Sequence, residues 1–524
     1  MHQLTKQILS SVHLLSFRSK TNVLVLSAGI SAICITACGD NERYASSDST
    51  TSIPVFDVTE WLPGGETTSV KSMSGNFIHP SANLHGMAAL NFWTGFSLFR
   101  DPWVIAPSST RDRDGLGPLF NARSCIACHQ SGAKGLRPES TKNAPTGLVF
   151  RLFNFAQIPW VDDNYGDQIQ TLFIRGFEHI RLDNSNKKIS SLAAEVKIHV
   201  KYTQLTNNYP DGTKYILQQP SYTLFEHSDG SLHPNTHLSP RFAPSIFGTG
   251  LLDAIAEQDL IAQEDINDIN NDGISPKYNK VPLLSGNDKT KQTARSDMHI
   301  GRFGLKAKHP TLKQQIAAAF RDDIGITNRL FPNESCAKNQ LACKQVAKLG
   351  GHDDVELSDK LLNVVLTFNQ HLAPAKARNL MSKAAQNGRT LFYEAACHQC
   401  HTPSYVTDKH YPVTELANQK IWPYTNLALH DMGEDLSDSY GTANREKTAS
   451  AEYLATPREW RTPPLWGIGI IEQSPQPAFL HDGRAKSIEE AILWHGGEAN
   501  QSKQTFIHMS LAQRNELLTF LRAI

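Results

Sequence analysis

Alternating hydrophobic and polar positions mark one part of the chain as β-structure. Residues 196–202 alternate apolar and polar side chains, which predicts a half-buried strand. A Pro-Asp-Gly turn at 210–212 and apolar residues at 215–217 predict a second strand. We therefore expect a β-containing insertion over roughly residues 150–250.

Helical spacing of apolar residues appears on both sides of this insertion. It predicts helices over about 87–99, 312–324 and 384–392. Ser510 and Gln513 form a predicted capping box, and apolar positions at helical spacing follow to the end of the chain. The fold class predicted from these patterns is mainly α, with the β-containing insertion in its first half.

Two short motifs carry the candidate chemistry, and both read Cys-x-x-Cys-His. Their residues are Cys125, Cys128 and His129 in the first copy, and Cys397, Cys400 and His401 in the second. This spacing places both thiols and the imidazole on one side of a helical turn, where the thiols can bond haem vinyl groups while His binds iron. It is the attachment signature of c-type haem. A zinc site or a disulfide would be the alternative for a lone Cys pair, but neither copy has a partner pair suited to zinc.

Length and charge narrow the class of protein. A chain of 524 residues can form two or more domains with cores of their own. Lys and Arg total 51, as do Asp and Glu, so the formal net charge is zero. This balance argues against a nucleic-acid partner held by bulk electrostatics.

The first 38 residues are predicted to be a targeting segment. Positive residues precede an apolar stretch, and residues 35–38 resemble a bacterial lipobox that ends in Cys38. The alternative is a simple secretory signal with an incidental Cys. Residues 39–75 are predicted to be a flexible tether. We expect lipidation at Cys38 and a place on the periplasmic side of a membrane, with Gly39 favouring the outer membrane.

Two further groups of residues suggest covalent or metal chemistry. Cys336 and Cys343 flank a short polar loop, and in an oxidising compartment a disulfide is expected rather than a redox-active dithiol. Asp268, Asn270 and Asp272 alternate before a Gly, like the first half of a calcium loop. The position expected to hold a bidentate Glu is Asn, so a solvated acidic turn is the alternative.

A second axial ligand for the haem at His401 is sought among nearby side chains. A predicted helix over 488–495 carries one apolar stripe that ends in His495, and glycines follow it directly. His430 and Met432 compete for the same role.

Several longer strings resemble known haem enzymes. Residues 461–467 and 479–484 resemble the bacterial di-haem cytochrome c peroxidase superfamily. Residues 114–129, 301–307 and 479–499 are closer to one of its members, the di-haem oxidoreductase family, whose proteins are described as peroxidases and often labelled thiol oxidoreductases. The resemblance covers most of the chain after about residue 60.

The resemblance implies two cytochrome c-like haem domains, at 76–372 and 373–524, that hold two haem c groups. In the peroxidases, the second ligand of the C-terminal haem lies about fourteen residues after the His of the His-Asp-Gly string. Counting from His481 gives His495, where those enzymes usually have Met. A bis-His iron should have a lower reduction potential than a His/Met iron.

The N-terminal haem is implied to be the site that reacts with peroxide. Its sixth position should be open or able to open, with His233 and His237 as candidate ligands. A carboxylate is expected over it, and the candidates are Glu178, Glu195 and Glu226. A Trp between the haems is also expected, from Trp93, Trp103 or Trp466.

The function predicted on this basis is a haem-dependent, peroxidase-like oxidoreductase. Electrons would pass from a small donor, a cytochrome c or a cupredoxin, through the His401/His495 haem to the haem at His129. Two alternatives remain: a non-enzymatic electron-transfer cytochrome, and a surface lipoprotein that binds a metal or a protein partner.

Overall fold

A computed structural model describes the backbone of residues 53–71, 76–137, 147–154, 160–177, 180–181, 189–285, 298–348, 355–438 and 452–524. The helices are α1 Gly86–Arg100, α2 Cys125–Cys128, α3 Thr249–Asp253, α4 Glu257–Ile261, α5 Leu312–Ala319, α6 Leu341–Ala347, α7 Asp359–Gln370, α8 Lys383–Glu394, α9 Ile468–Glu472, α10 Ile488–Trp494, α11 Asn500–His508 and α12 Leu511–Ala523. The predicted targeting segment with Cys38, residues 39–52 and 72–75 of the predicted tether, and Glu178 lie outside the described residues.

The strands are short, except for four in the first half. They are β1 Leu119–Phe120, β2 Leu148–Asn154, β3 Leu172–Phe173, β4 Ile180–Arg181, β5 Ile189–Ser190, β6 Lys197–Asn208, β7 Lys214–Phe225, β8 Thr236–Phe242, β9 Lys280–Pro282, β10 Met298–Ile300, β11 Tyr405–Val406, β12 Lys420–Ile421, β13 Leu429–Asp431 and β14 Glu459–Arg461.

Hydroxyl side chains set the start of three of the helices that the pattern predicted. Ser382 accepts a hydrogen bond from the amide of Ala385 and begins α8. Ser510 does the same for Gln513, whose side chain returns the bond, so the predicted capping box is confirmed. The helix predicted over 312–324 is α5, which Thr311 caps and which continues as a π-helical turn at Phe320–Ile324.

Two pairs of helices cross in the same way. In α1, a Cβ added to Gly95 would lie 2.3 Å from the carbonyl oxygen of Val364 and 2.8 Å from Cβ of Phe368, both in α7. In α8, a Cβ added to Gly388 would lie 1.9 Å from the carbonyl oxygen of Glu516 in α12 and 2.9 Å from Cβ of Phe520 four residues on. Glycine is therefore required at both crossings, because no side chain fits between the two backbones.

A third, short helix repeats around each pair. In α3, a Cβ added to Gly250 would lie 2.2 Å from the carbonyl oxygen of Gln370 at the end of α7. In α9, a Cβ added to Gly469 would lie 2.2 Å from the carbonyl oxygen of Arg522 in α12. Each short helix follows a left-handed glycine, Gly248 or Gly467, both with φ of 73°. The chain thus contains two copies of a three-helix arrangement, one in each half, and each copy includes one Cys-x-x-Cys-His motif. A domain boundary near residue 373 stays a prediction.

The β-containing insertion has the strands that alternation predicted. β6 and β7 pair in antiparallel register from Lys197 opposite Phe225 to Asn208 opposite Lys214. Ile198 and Val200 of β6 are fully buried and pack with apolar residues of β2 and with Phe242 of β8 in a small separate core. His199 is only partly buried on the other face.

The prediction of a mainly α fold is wrong. Helix accounts for 32% and strand for 18%, with several small sheets. Among the described residues, all the sheets are antiparallel pairs: β1–β3, β2–β8, β4–β5, β6–β7, β9–β10, β11–β12 and β13–β14. The reason is that long connections satisfy their backbone groups by pairing with one another in strands of two or three residues, which are too short to show a period of two.

Most of the buried apolar side chains form one continuous core. It joins the α1–α7 pair, represented by Phe92 and Phe368, to the α8–α12 pair, represented by Phe392 and Phe520. Within the part of the chain that the structure describes, no helix has the length and apolar character needed to cross a bilayer.

Substituting Gly95 with Ala tests the crossing of α1 and α7. Gly→Ala in a helix normally stabilises by about 0.5–1 kcal/mol, but here the new methyl group would collide with the backbone of α7. We expect Gly95→Ala to lower the free energy of unfolding by about 1–3 kcal/mol, the usual cost of overpacking. Denaturant unfolding would measure it.

The neighbouring exposed residue Thr94 provides a matched control. Thr94→Ala should change the free energy of unfolding by no more than about 0.5 kcal/mol. A Gly95→Ala protein as stable as the Thr94→Ala protein would show that the crossing tolerates a side chain.

Candidate functional site

The first motif forms one helical turn with its imidazole fixed at one nitrogen. Cys125–Cys128 is α2, and the amide of His129 donates to the carbonyl of Cys125 at 2.9 Å. His129 Nδ1 lies 2.8 Å from the carbonyl oxygen of Pro244. A carbonyl can only accept, so Nδ1 carries the proton and Nε2 keeps a lone pair for a metal.

The second motif repeats this arrangement with a different carbonyl. Cys397–Gln399 is a 3-10 turn directly after α8, and the amide of His401 donates to the carbonyl of Cys397 at 2.9 Å. His401 Nδ1 donates to the carbonyl oxygen of Tyr424 at 3.0 Å. Burial lowers the pKa of His401 to about 3, so the imidazole is neutral, the form that binds iron.

A large cavity opens beside the second motif. Its volume is about 230 Å³, against roughly 10–15 Å³ for the space that one water needs on the same measure. Cys397, Cys400 and His401 line it, together with apolar side chains such as Phe392 and Leu521. A cavity of this size and polarity beside two thiols and a neutral imidazole fits a tetrapyrrole.

His495 faces the same cavity as His401. It follows α10 directly, and its Nδ1 donates to the carbonyl oxygen of Ala491 at 2.7 Å, which leaves Nε2 free. The two imidazoles are close enough that His495 contributes, after burial, to the lowered pKa of His401. The two imidazoles therefore line one cavity, and in both of them Nε2 is not used by the hydrogen bond that orients the ring.

The competing residues are less suited to this role. His430 lines the cavity, but its Nδ1 lies 2.6 Å from Glu498 Oε2 and its Nε2 lies 3.0 Å from Asn426 Nδ2. Both of its ring nitrogens are therefore engaged by protein. Met432 also lines the cavity and is the remaining alternative to His495.

The carbonyl that orients His401 is held by a buried ion pair. Arg389 Nη2 donates to Glu60 Oε1 at 2.7 Å, and the Tyr424 hydroxyl donates to Glu60 Oε2 at 3.2 Å. Glu60 has only 2% of its surface exposed. Tyr424 has φ of 54°, a left-handed conformation that is uncommon for a bulky residue. The Glu60–Arg389 pair therefore fixes a backbone that would otherwise relax.

The His-Asp-Gly string lies on the wall of the cavity. The ring of His481 stacks on Trp460 with centroids 3.7 Å apart and an interplanar angle of 12°. Asp482 pairs with Arg484 through a 2.9 Å contact. Burial lowers the pKa of His481 to about 3, so this imidazole is neutral.

The carboxylate nearest to the first motif is one that the sequence did not single out. Asp323 ends the π-helical turn after α5, and its carbonyl accepts the amides of Asn121 and Ala122 just before the motif. After burial, its charge raises the pKa of Cys128 to about 12. Gln168 Nε2 donates to its Oδ1 at 2.9 Å. The signal in the sequence that could have identified Asp323 was the adjacent pair of acids at 322–323, shortly before Gly325.

The carboxylates that were singled out have other partners. Glu195 is fully buried and accepts from the amide of Gln170 at 2.5 Å and from Gln340 Nε2 at 2.6 Å. Glu226 is mostly exposed and pairs with Lys197. Neither is placed against the first motif by these contacts.

Candidate histidines and tryptophans of the first half are spread over several elements. His233 is exposed and its Nδ1 accepts from the amide of Asn235, which does not suit a buried iron ligand. His237 lies on β8 opposite Phe153. Trp93 is half exposed on α1, and Trp103 is buried against Phe320.

Trp466 alone among the three tryptophans lines the cavity. Its ring lies on Gly248, where an added Cβ would be 2.3 Å from Trp466 Cζ2. Gly248 lies four residues after Pro244, whose carbonyl accepts from His129. Trp466 is thus placed between the surroundings of the two motifs.

The predicted disulfide is present, between Cys336 and Cys343. The predicted calcium loop is exposed, and its oxygens are engaged by the loop itself. Asp268 accepts from the amides of Asp272 and Gly273, and Asn270 donates to Asp272. Within the described ranges, no group of three or more His, Cys, Asp or Glu is placed to hold a metal ion. Calcium binding stays a prediction.

Comparison with known proteins bears directly on these sites. A family model described as "di-haem oxidoreductase, putative peroxidase" matches residues 57–147 and 153–524. The chain belongs to this family. Membership implies haem cofactors and two sites for them, in agreement with the two motifs.

Other comparisons add little. A search of curated proteins finds no match. A structure of Kuenenia stuttgartiensis hydrazine synthase, pressurised with 20 bar xenon, is 16% identical over 36% of this chain and 63% of that chain, with a TM-score of 0.21. A score this low carries no argument about fold or function.

Removing the Glu60 charge tests the support of Tyr424. Glu60→Gln would leave Arg389 buried without a counter-charge, and losing one partner of a buried pair typically costs about 3–5 kcal/mol. We expect a decrease of that size in the free energy of unfolding, measured with denaturant. Exposed Glu66→Gln is the matched control, and it should change the value by less than about 0.5 kcal/mol. Equal stabilities for the two variants would rule out the proposed support.

Proposed function

We propose that this di-haem oxidoreductase is a c-type, peroxidase-like enzyme. Its haems would be bound through Cys125 and Cys128 with His129 as axial ligand, and through Cys397 and Cys400 with His401. His495 would be the second ligand at the latter site. The observation that carries the proposal is that His401 and His495 face one cavity with Nδ1 donating to a carbonyl, and so with Nε2 free.

The chemistry of the donor set supports haem over zinc. Burial, followed by the charges of neighbouring groups, raises the pKa of Cys125 and of Cys397 to about 12. Each motif supplies two thiols and one imidazole, and neither has the partner pair that a structural zinc site needs. When bound, the haems would supply one-electron chemistry and carry electrons from a small donor at the His401 site to the His129 site.

Asp323 is the proposed proton acceptor for peroxide at the first site. Its charge contributes to the raised pKa values of both Cys125 and Cys128. Burial, followed by the charge of Asp322, raises the pKa of Asp323 itself to about 6. Gln168 orients it through Oδ1. A group with such a pKa can accept and return a proton near neutral pH.

The surroundings of the enzyme are also proposed. The donor would be a cytochrome c or a cupredoxin, and no nucleic acid would be bound. Cys38 would be lipidated, which places the chain on the periplasmic side of a membrane, preferentially the outer membrane.

The first functional prediction is that the chain carries two covalently bound haems and that only the one at His129 is catalytic. Intact mass and pyridine haemochrome analysis of the exported protein should show two haems per chain. Electron paramagnetic resonance of the ferric form should show a low-spin signal from His401/His495 beside a high-spin signal from an open site. His129→Ala should remove peroxidase activity and the high-spin signal, while the low-spin signal stays.

The alternatives predict different results. Two low-spin signals and no peroxidase activity, even after partial reduction, would favour an electron-transfer cytochrome. Full activity in His129→Ala would contradict the catalytic assignment, and a mature protein without haem would contradict the function altogether.

A pH profile tests Asp323. Its raised pKa means that the carboxylate form is lost as the pH falls through about 6, so kcat/KM for peroxide should fall about tenfold per pH unit below that value. Asp323→Asn should lower kcat/KM by about 10²–10⁴ and abolish this acid limb, with haem content unchanged. Asp163→Asn, at a partly exposed site, should retain both. An unchanged acid limb in Asp323→Asn would exclude this residue as the base.

A further inference from the structure

The charged side chains that line the cavity are all cations. Lys134, Arg461 and Lys503 line it, and none of the described residues on its wall is an Asp or a Glu. The rest of the wall is largely apolar, as at Phe392 and Leu521. The cavity therefore has a positive charge that its own lining does not compensate.

Lys134 and Arg461 have no carboxylate partner among the described residues. Lys134 Nζ lies 5.5 Å from the ring centroid of Phe479, an apolar neighbour. Arg461 donates from Nε to the carbonyl of Gly304 at 3.0 Å and from Nη1 to that of Thr462 at 3.1 Å. These backbone contacts hold the guanidinium in place and leave its charge unpaired.

The two cations are also close enough to repel. Burial, followed by the charge of Arg461, lowers the pKa of Lys134 to about 8. Lys503 differs, because the charge of Asp435 acts on it in the opposite direction. Lys134 and Arg461 are thus the uncompensated pair.

Three buried cations of this chain are paired with acids. Arg389 contacts Glu60 at 2.7 Å, Lys306 contacts Asp438 at 3.0 Å and Arg241 contacts Glu452 at 2.8 Å. Two adjacent, partly buried cations without such a partner are unfavourable, unless an anion joins them. The cavity beside them has room for one.

We propose that Lys134 and Arg461 form a carboxylate-binding site, whose ligand is a propionate of the haem held at His401. This inference rests on the proposed function and names the residues that would anchor the polar edge of that haem. Lys134 lies five residues after His129, whereas Arg461 belongs to the second half of the chain. A residue next to the first motif therefore takes part in the second site.

A cation beside a propionate favours the reduced haem, which has one more negative charge than the oxidised form. Lys134→Met keeps the length of the side chain and removes the charge. We expect it to lower the equilibrium constant for one-electron reduction of the low-spin haem about tenfold, which corresponds to 59 mV. Arg461→Gln should have an effect of the same sign and similar size, and Lys134→Arg should stay within about twofold of wild type.

Spectroelectrochemistry of the holoprotein would measure these potentials, with Lys201→Met as the control for loss of one exposed positive charge. Lys201→Met should leave the constant within about twofold. Haem content and the low-spin signal are recorded for wild type first. A wild-type protein without haem would contradict the proposed function, and this result is distinct from a failure of the carboxylate-site proposal. If Lys134→Met fails to mature, Arg461→Gln carries the test.

Unchanged potentials in haem-loaded Lys134→Met and Arg461→Gln would overturn the proposal. A soluble carboxylate is the other source of the same chemistry, and titration with formate distinguishes it. The potential of wild type should not respond to formate, because the propionate already occupies the pair. A wild-type potential that moves with formate, together with a Lys134→Met potential that does not, would assign the site to a free anion instead.

Discussion

The hydrogen bond from an imidazole Nδ1 to a backbone carbonyl is the constraint on which the proposed chemistry depends. It appears at His129, His401 and His495, each time with a different carbonyl. Such a bond fixes the tautomer, orients the ring and leaves Nε2 as the only basic nitrogen. His430 shows the contrast, because both of its nitrogens contact protein and nothing remains for a metal. The histidines proposed as ligands thus differ from His430 in the hydrogen bonds that the protein makes to their rings.

Close helix crossings supply the rigid frame for these bonds. Gly95 and Gly388 let two helix pairs approach to backbone contact, and Gly250 and Gly469 bring a short helix onto each pair. The two copies differ in the residues that surround each Cys-x-x-Cys-His motif. The second copy has a large cavity with His401 and His495 on its wall, whereas the first has Asp323 and its amide partners near the motif. A duplicated frame with unequal surroundings is the arrangement expected when one site relays electrons and the other reacts.

Sequence reasoning found the parts that depend on local spacing. The two Cys-x-x-Cys-His motifs, the Ser510 capping box and the β6 alternation each lie within a few residues, and the structure has α2, α12 and the hairpin there. His495 followed from a stripe of one helix together with a family resemblance. The short sheets could not be predicted, because pairs such as β13–β14 join segments that are distant in sequence and carry no periodic pattern.

The residues that the sequence missed act through distant contacts. Asp323 lies some 200 positions beyond the thiols it faces, and Glu60 reaches Arg389 across more than 300. No local pattern links such residues, whereas the internal copy of glycines at 248–250 and 467–469 was visible and would have indicated the duplication. Composition and motif spacing therefore gave the cofactor class, and tertiary contacts gave the groups around it.

The Glu60–Arg389 contact has a consequence for how the chain is assembled. Glu60 emerges from the ribosome long before Arg389 and Tyr424, yet it completes the wall behind His401. The second half therefore cannot reach its final form as an isolated fragment, since a piece starting near residue 373 would lack the early segment that neutralises its buried guanidinium. Formation of the wall behind His401 is thereby coupled to an intact early segment of the same polypeptide.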